Sequence, residues 1–369
     1  MTDKMVALVI KSNYLPYSEV FIYEEMRRFK QFDIHWLISV YNDTRYFPEP
    51  KNFTVHPWSY EHGSKSDLLE ILKKISPDII YFQFGFDAHF FFEKVDRKMN
   101  VPVVVSLRGA DVSVFVKISE YDYGALSEYV DLFLVRSNEM AIRVKTLGVP
   151  EEKIIVHYTG IDITKFNFTD VSNNPLNKCI CISRLVGKKG IDDIVKAIGL
   201  VKKELDPGFM LDIYGTGPLR HQLIELIQEL NVGDFIRLNK SISHEELSIK
   251  LKAYSFMIQA SKTDERGDME GIPNSLKEAM AIGLRIITTD HAGIPELLKK
   301  PEWAWIVPEG DIESLSKAIL AFSTSQNYSI SDFKERRSFI ESDFNIDKQV
   351  EDLETMFNQL TTQYEHHRK

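Results

Sequence analysis

Short apolar runs alternate with amphipathic stretches along almost the whole chain. Met5–Lys11, Ile34–Val40, Ile79–Phe84, Val103–Leu107, Leu132–Arg136 and Ile154–Tyr158 are brief and rich in Val and Ile. Such runs suit parallel strands, which are buried on both faces. Between them, Ser18–Phe29, Lys65–Ile75, Ala88–Lys98, Tyr121–Tyr129 and Glu139–Leu147 carry helical spacing. The polar, turn-rich stretch Phe166–Asn177 interrupts the pattern and reads as a linker.

The pattern then restarts with strand Cys179–Ser183, helix Ile191–Glu204, strand Met210–Tyr214 and helix Leu219–Leu230. Strands follow at Ile236–Leu238 and Phe256–Gln259, then helix Asn274–Ile282, strand Arg285–Thr289 and helix Ile294–Leu298. Asp332–Gln363 is mostly helical and able to cross back onto the first half. Alternating β and α elements predict two doubly wound α/β domains facing across a cleft, at 1–168 and 169–344, with the final helix (about 345–369) on the first.

Length changes little in this picture, since 369 residues suit two ordinary domains. The net charge of −9 gives no support to a nucleic-acid partner. No apolar run approaches the ~20 residues needed to span a bilayer. Met5–Lys11 reads as a first strand rather than a leader, so a cytoplasmic protein is expected. The only cysteines, Cys179 and Cys181, alternate on one strand face and suit core packing.

The chemistry concentrates after the strands of the second half. Arg184 and Lys189 flank a loop after the first strand, a fork and a point charge suited to a diphosphate. Gly215 and Gly217, in Tyr-Gly-Thr-Gly-Pro, permit close backbone approach. Glu270-Gly271-Ile272-Pro273-Asn274 then leads into a helix carrying Glu278. A helix start presents free N–H groups and positive dipole to a phosphate. Helical rise puts the two carboxylates roughly 10 Å apart or more. A retaining glycosidase pair needs about 5 Å, so a long ligand gripped at both ends fits better. Either glutamate alone could equally belong to a solvated face.

The order of these elements resembles the retaining glycosyltransferases of the GT-B fold, in the large family 4. The segment Gly267-Asp-Met-Glu-Gly-Ile-Pro is similar to the exopolysaccharide and colanic-acid-type subgroup. The resemblance implies that Arg184 and Lys189 bind the donor diphosphate, with N–H groups around Ile272–Asn274. It implies that Glu278 takes the ribose hydroxyls, Glu270 the transferred sugar, and that Gly215 and Gly217 lie beside the nucleotide. Asn239–Leu247 would lie near the base. A UDP-sugar donor, a saccharide or lipid-linked acceptor and surface-polysaccharide assembly are further implications. No metal ligand pattern or cofactor signature is seen, so a metal-independent reaction is expected.

The first half matches the family more loosely. Its first loop, Ser12–Glu19, lacks the glycines of many relatives, with Ser18 a helix cap and a candidate phosphate contact. Arg108, in Ser-Leu-Arg-Gly-Ala-Asp, stands where the family has His, and is either a cationic contact to donor or acceptor or a structural replacement. His157–Asp162 resembles the family's Asn-Gly-Ile-Asp turn. The Phe-rich run Tyr81–Phe92 suits core more than a membrane or acceptor surface, and Arg27-Arg28-Phe29-Lys30 offers a contact for anionic lipid at the inner membrane face. Three rivals stand beside transfer: a phosphorylase, a GT-B nucleotide-sugar epimerase, and a non-catalytic nucleotide-sugar-binding partner of a synthase complex.

Overall fold

The computed structural model describes residues 4–13, 15, 19–40, 47, 53–59, 62–118, 121–324 and 330–368. The chain divides into two compact units, 1–160 with 346–369, and 161–345.

In the first unit a seven-stranded parallel sheet is ordered β3-β2-β1-β4-β5-β6-β7. Its strands are β1 Met5–Asn13, β2 Phe32–Val40, β3 Phe53–Pro57, β4 Ile79–Phe82, β5 Val103–Ser106, β6 Leu132–Val135 and β7 Ile154–Val156. The central strands β4, β5 and β6 are buried at every position, as their unbroken apolar runs require. The long C-terminal helix Ile346–Arg368 belongs to this unit. Ile346, Val350, Leu353 and Phe357 enter the core that holds Phe29, Phe32 and Tyr81. The chain enters this helix beside Gly160, where a Cβ would lie 2.4 Å from the Cα of Ile346.

The second unit holds a six-stranded parallel sheet ordered β10-β9-β8-β11-β12-β13. Its strands are β8 Lys178–Ile182, β9 Met210–Tyr214, β10 Ile236–Asn239, β11 Phe256–Gln259, β12 Arg285–Thr289 and β13 Trp305–Val307. Order reverses between β8 and β11, so the carboxyl ends of those strands form the switch point where open α/β sheets bind ligands. Cys179 and Cys181 are free and fully buried in the core, and burial pushes the Cys181 thiol up to about 12.

Several expectations need correction. The unit boundary falls at 160/161 rather than 168/169. Phe166–Asn177 is not a linker but an anchored margin of the second unit. Phe166 and Val171 are buried, the Thr169 N–H donates to the Ile282 carbonyl at 2.8 Å, and the Phe166 carbonyl accepts from Arg337. The basic run near Phe29 is largely neutralised: Arg27 and Arg28 pair with Glu24, and Arg28 reaches Asp347 at 3.0 Å. The Phe-rich run splits, with Tyr81, Phe82, Phe91 and Phe92 buried and Phe90 exposed.

Candidate functional site

The second unit's site grows from four loops at the carboxyl ends of β8, β11, β12 and β13. After β8, a tight turn at Gly187–Lys189 presents Lys188 and Lys189. Gly190 closes it with φ +59°, and a Cβ there would lie 1.8 Å from the Ala260 carbonyl oxygen. Only glycine meets both demands, so the β8 loop is pressed against the chain leaving β11. Gly215 and Gly217 act similarly. A Cβ on Gly215 would lie 1.9 Å from the Ser183 oxygen, and one on Gly217 2.4 Å from the Leu185 oxygen. Close packing of these two loops is therefore a sufficient reason for both glycines.

Into this frame the β11 loop carries Glu270. Its carboxylate lies 3.0 Å from the Lys189 Nζ and 3.7 Å from the Lys188 Nζ, with side chains only 9–13% exposed. Lys188 also donates to Asp268 and to the Met269 carbonyl, both at 3.1 Å. Burial opposes ionisation of Glu270, but the Lys189 and Lys188 ammonium groups outweigh it and hold the carboxyl at about 2. Glu270 is thus an anion at any physiological pH, able to accept hydrogen bonds and unable to act as an acid.

The backbone N–H of Glu270 donates to His291 Nε2 at 3.0 Å, and His291 Nδ1 lies 2.5 Å from Glu309 Oε2. Glu309 in turn accepts the Thr263 N–H at 2.7 Å. Asp268, Lys188, His291 and Glu309 are not candidates from the sequence alone, although Asp268 and Lys188 lie within the segments that hold Glu270 and Lys189, and His291 lies in the turn after Arg285–Thr289. The adjacent lysine and the turn histidine were the available signals.

Helix Asn274–Ile282 begins four residues beyond Glu270. Among the described residues, no acceptor takes the N–H groups of Gly271, Ile272, Asn274 or Ser275. Pro273 has no N–H and fits the entry to the helix. Glu278, one turn inside, is buried, and His244 Nε2 lies 3.6 Å from its Oε1. Burial raises its carboxyl above the usual range, against the opposing pull of His244 and Lys277. His244 opens helix His244–Lys250, capped by Ser243 and Glu246. The structure thus joins the 239–247 segment to Glu278. Arg184 is exposed, and among the described residues its guanidinium has no ion-pair or hydrogen-bond partner.

The loops bring Lys189 to Glu270, and the free N–H groups begin at the next residue, Gly271, and continue into the helix start. A phosphate can be held there by free N–H groups and cations, with an acceptor for sugar hydroxyls beside it. A cavity lined by Arg285, Trp303, Trp305 and Phe322 lies at the amino ends of β12 and β13, the wrong edge of a parallel sheet for such a ligand.

In the first unit, Arg108 turns into a buried network. Its Nη2 donates to Gln83 Oε1 at 2.6 Å and to Glu25 Oε1 at 3.2 Å. Burial opposes ionisation of Glu25, but Arg108 and Arg136 hold its carboxyl below the usual range. His157 accepts from Arg136 and reaches the Gln349 carbonyl at 2.9 Å, tying this network to the C-terminal helix. These bonds give Arg108 a structural task and leave Nη1 without a partner. Ser18 lies outside the described residues.

Two doubly wound parallel α/β units of this kind are the architecture of the GT-B fold. Solved structures agree. HepE of Anabaena, crystallised with UDP, matches with TM-score 0.77 at 14% identity, covering 96% of this chain and all of that one. Sucrose-phosphate synthase of Thermosynechococcus elongatus matches with TM-score 0.77 at 15% identity, over 97% of this chain and all of that one.

Family comparisons are more specific. Residues 162–343 match the profile of glycosyl transferases group 1, and residues 19–165 that of glycosyltransferase family 4. The amylovoran biosynthesis glycosyltransferase AmsK of Erwinia amylovora is 31% identical over 74% of this chain and 68% of its own length. The WcaL protein of Escherichia coli K12, described as a colanic acid biosynthesis glycosyltransferase, is 33% identical over 66% of this chain. That match spans 61% of WcaL's length. The chain belongs to the glycosyl transferases group 1 family.

Proposed function

We propose that this protein transfers a sugar, with retention, from a nucleotide-sugar donor to a saccharide or lipid-linked saccharide during surface-polysaccharide assembly. The observation that carries the reading is the Lys189–Glu270 pair followed by free N–H groups that run from Gly271 to the helix start at Asn274. UDP in the HepE complex supports a UDP-sugar, and the names of WcaL and AmsK support an exopolysaccharide acceptor.

The chain's own residues supply the chemistry. Arg184, Lys189 and the N–H groups of Gly271, Ile272 and Asn274 face the donor diphosphate. When the bond from the anomeric carbon to the phosphate oxygen breaks, negative charge grows on that oxygen. Each well-aimed donor is worth about 2.7–4 kcal/mol at that moment. The acceptor hydroxyl bonds to the anomeric carbon on the same face, and its proton passes to the departing phosphate. Glu270, fixed as an anion, accepts from the sugar hydroxyls and orients the ring. Glu278 grips the ribose hydroxyls. No step calls for a metal or other cofactor.

Among the described residues no helix is long and apolar enough to cross a membrane. Peripheral contact with the inner membrane face follows from a lipid-linked acceptor. A screen of UDP- and GDP-sugars for thermal stabilisation and release of free nucleotide tests the proposal. A donor that stabilises the protein and is slowly consumed supports it. Consumption unchanged by Glu270→Ala or Lys189→Ala refutes the site.

A further inference from the structure

The ring of His291 is fully buried and bonded on both sides. On one side Nε2 takes the Glu270 backbone N–H at 3.0 Å, so that nitrogen carries no proton. On the other, Nδ1 meets Glu309 Oε2 at 2.5 Å. A carboxylate can only accept there, so Nδ1 bears the hydrogen. Glu309 is itself held twice. It accepts the Thr263 N–H at 2.7 Å, and its own N–H donates to Asp290 Oδ1 at 2.8 Å. The chain of bonds thus runs from the carboxyl end of β13, through the loop after β12, to the residue whose side chain faces Lys189.

We propose that His291, its tautomer set by Glu309, is a positioning residue for transfer. It fixes the Glu270 backbone and so aims the carboxylate at the donor sugar. This inference rests on the reading that Glu270 meets that sugar. The physical reason is selective. With the proton on Nε2, the ring would present N–H to N–H and push Glu270 out of place. Without Glu309 both tautomers become accessible, and the loop loses its single setting. Lys188 holds the carbonyl side of the same peptide, through Met269 O at 3.1 Å, but the Glu270 N–H itself is taken by His291, so that peptide is fixed at both ends only while the His291 bond is in place. A displacement near 1 Å at a reacting centre costs on the order of a hundredfold in rate.

Two measurements test it. Long-range ¹H–¹⁵N correlation on the intact protein at neutral pH reads the tautomer directly. The expected result is a protonated Nδ1 and a bare Nε2. A protonated Nε2, alone or with Nδ1, overturns the proposal whether or not the donor is known. Kinetics with a consumed nucleotide sugar supply the second readout. His291→Ala should lower kcat by roughly tenfold to a hundredfold while donor KM stays within about threefold. His291→Gln, whose Oε1 can accept the same N–H, should recover most of the loss. A loss confined to KM, or equal losses in both variants, overturns the positioning role. Full activity in Glu270→Ala would sink the wider reading of the site and leave the tautomer result standing.

Discussion

Replacing Lys189 with Met removes the closest cation from a carboxylate that has almost no access to water. The Glu270 carboxyl is displaced from 4.5 to about 2. At ~1.4 kcal/mol per pH unit, this corresponds to about 3 kcal/mol of native-state stabilisation at pH 7. Lys188 shares in that figure, so the variant should lose about 2 kcal/mol, short of the ~3–5 kcal/mol of a buried charge left with no partner. Glu270→Gln and the double variant complete a cycle, and the double variant should be more stable than Lys189→Met alone. The sign with pH follows from the depressed folded value. The contribution is complete above 4.5, the unfolded value, and disappears as pH falls through about 2. About 1 kcal/mol of it should be gone by pH 4, narrowing the gap between the parent and Glu270→Gln. Urea unfolding of all four proteins at pH 7 and pH 4 measures both effects. Equal stability of Lys189→Met and parent at pH 7, or a gap that does not narrow at pH 4, would refute the reasoning.

Arg184→Ala should leave the melting temperature within about 1 °C, since the side chain is exposed and uncommitted, yet weaken donor binding about tenfold by calorimetry. Glu278→Gln keeps the helix and removes one charge-assisted contact to the ribose. Donor KM should rise roughly tenfold or more with kcat changed little, and an unchanged KM would move the ribose elsewhere. Asp87 is buried in the first unit, with Oδ1 accepting the Ser12 N–H at 2.9 Å and Oδ2 unpaired. Burial raises its carboxyl to about 7, against the pull of Lys11 and the Ser12 bonds. A raised folded value means stability is complete below 3.8 and falls as pH rises to about 7. Asp87→Asn should therefore gain about 2–4 kcal/mol over the parent at pH 8 and little at pH 4, by denaturant titration.

The buried strands were legible because parallel sheets need apolar residues at every position. Arg285–Thr289 and helix Asn274–Ile282 coincide with their expected bounds. The edge strands β3 and β13 were missed. Phe53-Thr-Val-His-Pro57 mixes polar residues with a proline, and Trp305–Val307 is three residues long. Helix His244–Lys250 was missed despite a capping box at Ser243 and Glu246, which was the available sign. The anchoring of 166–177 was hidden because two buried side chains, Phe166 and Val171, outweigh a polar neighbourhood. Glu270 and Lys189 were readable as motif residues, but their pairing was not. It depends on β8 lying beside β11, and strand order is not written in spacing. The bonds of His291 and Glu309 depend likewise on β12 pairing with β13.

The central claim is that the Lys189–Glu270 cluster performs glycosyl transfer from a nucleotide sugar. The most direct measurement is nucleotide release from a panel of UDP- and GDP-sugars, run side by side with the parent, Lys189→Ala and Glu270→Ala. The account predicts consumption of a donor by the parent and a loss of roughly a hundredfold or more in both variants. Release at parental rates by either variant, or no donor bound or consumed by the folded parent, would contradict it.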